Sequence, residues 1–186
     1  MGKTGLYINP LGALQFGPII GFEIGAGPNA VIDLHWRYSS IGLVYALILT
    51  EGFEHYMSMS SMAVGGGFRY FFPLSNSNHR PYIGGMAEYS WGSTWGEDSY
   101  EKDDYDPDEY DAWEGSEAQI IAIFNGGMRW RFASSFFLNT GAMAGVAIDM
   151  KDEVTYINQP GSDPENYRDA TFFGMLELAL GWEFGR

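Results

Sequence analysis

Asp104, Asp106 and Asp108 stand at every second position, a spacing at which carboxylates often gather around calcium. A calcium loop also needs a glycine soon after the aspartates and a bidentate glutamate at its end, and here Glu109 follows instead. The three aspartates are therefore candidate metal ligands on an acidic segment rather than a formed calcium loop. A second chemistry would come from His55 beside Ser58 or Ser60, an imidazole close to hydroxyl nucleophiles, with Glu51 and Glu54 as the nearest carboxylates. That spacing matches no nucleophile motif, so the chain is expected not to be an enzyme. Cysteine is absent, which removes thiolate zinc sites and cysteine nucleophiles together, and no cofactor is expected.

The aspartates belong to a wider concentration of charge. Eleven of the 24 acidic residues lie between Glu97 and Glu117, where Lys102 is the only base. This distribution and a net charge of −14 exclude nucleic acid as a partner, because phosphates would be repelled. Tyr100, Tyr105, Tyr110 and Trp113 are interleaved with the acids, which suits recognition of a basic partner or a divalent cation.

What holds that segment in place is legible from a period of two. From Ala30 to Tyr38, Ala30, Ile32, Leu34, Trp36 and Tyr38 share one face, while Val31, Asp33, His35 and Arg37 share the other. From Ile120 to Phe132, Phe124, Met128 and Trp130 oppose Asn125, Arg129 and Arg131; near the C-terminus, Leu176, Leu178, Leu180, Trp182 and Phe184 oppose Glu177, Gly181 and Glu183. Arg69 and Glu88 fall on the small, polar face of their own segments, as Glu23 does. No charge falls on a bulky apolar face. A soluble barrel would have to expose the glycine- and alanine-rich faces to water, whereas a membrane barrel turns the bulky faces to lipid and the charges to its lumen. A charge on the lipid face would cost about 2–4 kcal/mol at mid-bilayer. The longest apolar run, Ile41 to Leu49, is half the roughly 18 residues that a membrane-spanning helix needs.

The segments number eight: near 3–9, 18–26, 30–48, 57–72, 81–93, 118–132, 136–150 and 170–184. Their connections alternate between short (27–29, 73–80, 133–135) and long (94–117, 151–169), and every proline falls in a connection or at a strand start. The expected fold is all-β, an eight-stranded antiparallel transmembrane β-barrel forming a single domain over 1–186, with an acidic loop at about 94–117. Short turns mark the periplasmic end, so both termini are expected there and the acidic loop outside. No leader of charged, apolar and small residues opens the chain, so a mature form with an added Met is expected. Tyr70, Phe72, Trp130, Phe132, Phe136, Trp182 and Phe184 would form an aromatic girdle at one interface, with Tyr89 and Trp91 beginning the other.

With these segments and the closing strand Leu178-Ala179-Leu180-Gly181-Trp182-Glu183-Phe184, the chain resembles the outer-membrane β-barrel superfamily, specifically the eight-stranded barrels of the OmpA and OmpX type. The resemblance covers the whole chain by pattern, and the closing strand is similar to the signal read by the barrel-assembly machinery, although Gly185-Arg186 follow the terminal aromatic. It implies residence in a Gram-negative outer membrane, with lipid and lipopolysaccharide as neighbours. Some small barrels of this kind modify the acyl chains of lipid A with a Ser and a His near the outer rim, and the His55 cluster is the only similar placement here.

The lumen of an eight-stranded barrel is about wide enough for side chains to fill it. Glu23, Asp33, His35, Arg37, Arg69, Glu88, Arg129, Arg131, Glu177 and Glu183 are therefore expected to form an ion-pair network there. The expected function is an envelope-structural or surface-interaction role through the acidic loops. The alternative is binding or passage of small hydrophobic molecules through an upper lumen lined by Met57, Met59, Met86, Met143 and Met175.

Overall fold

The computed structural model describes residues 4–12, 17–40, 55–74, 78–98, 111–132, 135–157, 165–166 and 169–184. Among the described residues nine strands follow one another: β1 (Thr4–Asn9), β2 (Ile19–Gly25), β3 (Ala30–Ser40), β4 (His55–Phe71), β5 (His79–Asp98), β6 (Asp111–Phe132), β7 (Phe136–Tyr156), the two-residue β8 (Glu165–Asn166) and β9 (Ala170–Phe184). Each of β1 to β7 pairs antiparallel with the next, β9 pairs with β7 on one side and β1 on the other, and β8 adds a short rung to β7. The result is a closed, eight-stranded antiparallel barrel without a free edge in its ring.

The alternation decides which way each side chain points. Leu34, Trp36, Phe124, Leu176 and Trp182 lie on the outside, between 40% and 62% exposed, whereas Glu23, Asp33, Arg69 and Arg129 on the inside are at most 2% exposed. No charged side chain stands on the described outer wall of the ring between the level of Gln119 on β6 and the end that carries the chain termini. The Thr140 hydroxyl, on that wall, accepts a hydrogen bond from Trp130 Nε1 at 2.9 Å. Such a surface is stable only against an apolar solvent, since water would gain nothing from it and lipid loses nothing.

The strand ends Thr4, Gly25, Ala30, Phe71, His79, Phe132, Phe136 and Phe184 gather at one end of the barrel. The β2–β3 turn is closed by Ala26 N donating to Ala30 O at 2.9 Å, with Gly27 at φ 146°, a conformation in which any L side chain is strained. Outward aromatics collect at the same end, including Tyr70 against Phe72 (5.4 Å), Phe136 against Trp182 (6.4 Å) and Phe22 against Phe184 (6.2 Å). Tyr89 and Trp91 stack at 5.8 Å farther along β5.

At the opposite end the strands run well past the expected boundaries. β5 continues to Asp98 and β6 begins at Asp111, so the acidic connection expected over 94–117 is ladder on both flanks; β7 likewise continues to Tyr156. The cause lies in β-forming residues that outweigh charge repulsion. The Trp113 ring occupies the position that a side chain at Gly96 would take, and Trp95, Thr94, Val154 and Thr155 carry the pairing upward. At 22 residues, β6 is about twice the 9–11 residues that cross a bilayer core. A register shift between Ala118 and Gln119 separates this extension from the barrel, with Gln119 Nε2 donating to Asp149 Oδ1 at 2.9 Å beside it. β3 is described as far as Ser40, and the remainder of the segment expected to reach residue 48 lies outside the described residues.

Candidate functional site

The lumen is the most chemically distinctive part of the barrel. β3 supplies Asp33, His35 and Arg37 at alternate positions, so all three point inward. His35 Nδ1 lies 2.7 Å from Asp33 Oδ1 and its Nε2 lies 3.0 Å from Glu88 Oε1 on β5, while Arg37 Nη2 donates to the other Glu88 oxygen at 2.6 Å. His35 sits against Gly65 of β4, directly opposite in the ladder, where a Cβ would press on the imidazole.

Arg69 occupies the centre and is fully buried. Its Nη1 donates to Glu23 Oε1 at 3.2 Å, and its Nη2 lies 3.2 Å from Glu177 Oε1 and 3.9 Å from Asp33 Oδ2. The guanidinium also lies near the Tyr7 and Tyr82 rings, at 5.3 and 5.6 Å from their centroids. Tyr82 Oη donates to Glu177 Oε2 at 2.6 Å.

Toward the end that carries the chain termini, Arg129 Nη2 donates to Glu23 Oε1 at 2.6 Å, Nη1 to Glu183 Oε1 at 3.4 Å and Nε to Asn139 Oδ1 at 2.8 Å. Phe71 and Phe137 lie against its guanidinium, with centroids 4.4 and 3.9 Å away. Arg131 donates from Nε and Nη2 to Glu183 Oε1 at 3.1 and 2.7 Å. All ten charged residues singled out in the sequence thus meet in one continuous set, linked through Glu23 and Asp33. Every ring strand contributes a side chain: Tyr7 from β1 and Asn139 from β7 complete the circuit.

Four aromatics that the charge pattern does not single out also belong to this set. Tyr7, Phe71, Tyr82 and Phe137 are at most 4% exposed and line the lumen beside the charges. A usable signal was present, since each stands at inward parity, and Tyr7 and Phe137 face glycines in the neighbouring strands. Side chains added at Gly21 and Gly181 would fall within the Tyr7 and Phe137 rings, respectively.

Met86, Met143 and Met175 point inward and pack in an apolar cluster with Ile121, Ile123 and Ala147, each at most 8% exposed. The side chains of Met57 and Met59 lie outside the described residues, as do those of His55 and Ser58, although their backbones pair within β4. Asp104, Asp106, Asp108, Glu51 and Glu54 also lie outside the described residues.

No family model and no curated protein sequence matches the chain. Among solved structures, the fold is similar to a major outer membrane protein from Thermus thermophilus, with TM-score 0.61 and 10% identity over 99% of this chain and 100% of that one. A second similar structure is the N-terminal β-barrel domain of Pseudomonas aeruginosa OprF, with TM-score 0.41 and 13% identity over 98% of this chain and 96% of that one.

Proposed function

We propose that this chain is an integral protein of a bacterial outer membrane, with no enzymatic activity, whose barrel is a closed anchor for an acidic extracellular extension. The observation that carries the reading is the inverted partition of charge, with an uncharged aromatic and aliphatic wall around a lumen in which each carboxylate of the network has a cationic partner. Likeness of fold to an outer-membrane protein supports the same placement. Both termini then lie in the periplasm, at the end with the short turns, and the prolonged β5–β6 hairpin rises from the outer surface. Its carboxylates and interleaved aromatics suit contact with a basic partner or with divalent cations held near lipopolysaccharide.

A buried set of mutually bonded charges is a poor conduit, because an ion entering would have to displace pairs at short range. The packed methionines weigh equally against passage of hydrophobic molecules. Reconstitution into planar bilayers tests this: the protein is expected to insert, to migrate as a heat-modifiable band and to show no steady conductance. A defined unitary conductance in the unaltered chain would replace the anchor reading with that of a pore. Protease accessibility of residues 99–110 on intact cells tests the orientation, with cleavage expected from outside only.

A further inference from the structure

At the barrel end that carries the termini, a recess of about 200 Å³ is lined by Arg80, Arg129, Arg131, Glu23, Glu183 and the 27–29 turn. Arg80 and Arg129 are directly opposed in the β5–β6 register, so their side chains share the inner face, and like charges so placed repel. Their surroundings treat them differently. Arg129 turns into the network and binds Glu23, Glu183 and Asn139. Arg80 meets no carboxylate among the described residues, and its Nη1 makes only two 3.3 Å contacts with neutral acceptors, Pro28 O and Asn29 Oδ1.

Counting charge sharpens the difference. Both His35 nitrogens face carboxylate oxygens, which only accept, so both donate when these carboxylates are ionised and the ring is an imidazolium. His35, Arg37, Arg69, Arg129 and Arg131 then balance Glu23, Asp33, Glu88, Glu177 and Glu183 one for one, and Arg80 is left over. Glu183 is already engaged by Arg129 and Arg131, and Glu23 by Arg69 and Arg129, so neither is available to neutralise it. Arg131 directs two of its nitrogens to one Glu183 oxygen and keeps its side chain 26% exposed at the recess. Among the described residues, the stretches that adjoin this end, 4–5, 25–30, 72–74, 78–81, 132, 135–136 and 184, contain Arg80 and no acid. An anion is repelled from the acidic end of the barrel and attracted to this one.

We infer that the recess binds a single oxyanion, a phosphate or carboxylate group, held between Arg80 and Arg131. A guanidinium fork offers paired N–H donors at the spacing of two oxygens of such a group, and the occupant would also relieve the opposition of Arg80 and Arg129. The group can come from a soluble anion or from the headgroup of a phospholipid in the adjoining leaflet.

The test uses the full chain folded in non-ionic detergent. Inorganic phosphate, and separately acetate, is titrated calorimetrically at constant ionic strength, and thermal unfolding is followed in phosphatidylcholine vesicles with and without phosphatidylglycerol. Arg80→Gln is compared with Lys151→Gln, an equal loss of charge on an exposed residue of β7. Binding of either soluble anion that weakens at least tenfold in Arg80→Gln and is unchanged in Lys151→Gln supports the site with a soluble ligand. Stabilisation by phosphatidylglycerol alone, lost only in Arg80→Gln, supports it with a lipid headgroup. Absence of both effects, or effects equal in the two variants, overturns it. Should Arg80→Gln not fold, Arg80→Lys keeps the charge and removes the fork, and unchanged binding there overturns the bidentate geometry that defines the site.

Discussion

Arg129 on β6 donates to Glu23 on β2 at 2.6 Å, joining two strands separated by 106 positions in the chain and by the width of the lumen. The same glutamate oxygen accepts from Arg69 on β4. One carboxylate thus ties three non-adjacent staves of the barrel, and the network serves as internal bracing more than as a local ion pair.

Arg129→Met should therefore destabilise the barrel as a whole. Breaking a buried pair costs about 3–5 kcal/mol, and the lower part of that range applies because Glu23 retains Arg69 and Glu183 retains Arg131. The expected outcome is a fall in the temperature at which the compact band on an SDS gel converts to the unfolded one. Conversion at the unaltered temperature would mean that the bracing contributes nothing.

The glycines opposite lumen aromatics give a second outcome. From parity alone, a small polar residue at Gly181 is expected to be tolerated far better than a charge at Leu178. The structure adds a cost at Gly181, because Phe137 is fully buried against it and a Cβ there would fall within the ring. Gly181→Ala should cost about 1–3 kcal/mol by overpacking, whereas Gly174→Ala, whose added methyl would meet only Met143 O at 3.8 Å, should be nearly neutral. Urea unfolding in vesicles compares the two directly.

On the outer wall, Leu178→Arg should reduce folding into bilayers by about 2–4 kcal/mol, since Leu178 lies amid apolar neighbours on the exterior. Gly174→Ala serves as its control as well. If both variants insert equally, this part of the wall does not face lipid.

The acidic connection yields a prediction from composition. Eleven carboxylates within the 97–117 segment should bind calcium, and calorimetry at low and high salt separates two modes. At about 0.15 M ionic strength, screening acts beyond roughly 8 Å, so diffuse attraction fades while ligation by several oxygens persists. Salt-resistant heat lost when Asp104, Asp106 and Asp108 become Asn would establish a site; heat that vanishes with salt in both proteins would indicate screening only.

Much of this architecture follows from the chain itself. Because side chains alternate along a strand, the placement of Leu34 and Trp36 against Asp33 and His35 determines which face is oily and which is ionic, before any neighbour is known. Closing eight such strands then makes one face a wall and the other a lumen. Tertiary structure decided the rest. Alternation says that Glu23 and Arg129 point inward, but only the stagger of the strands around the ring brings them together and leaves Arg80 without a carboxylate among the described residues. The extension of β5 and β6 into the acidic segment is likewise a cross-strand property. Trp113 packs where Gly96 has no side chain, and a contact between strands that adds stability carries no periodic mark in either strand alone.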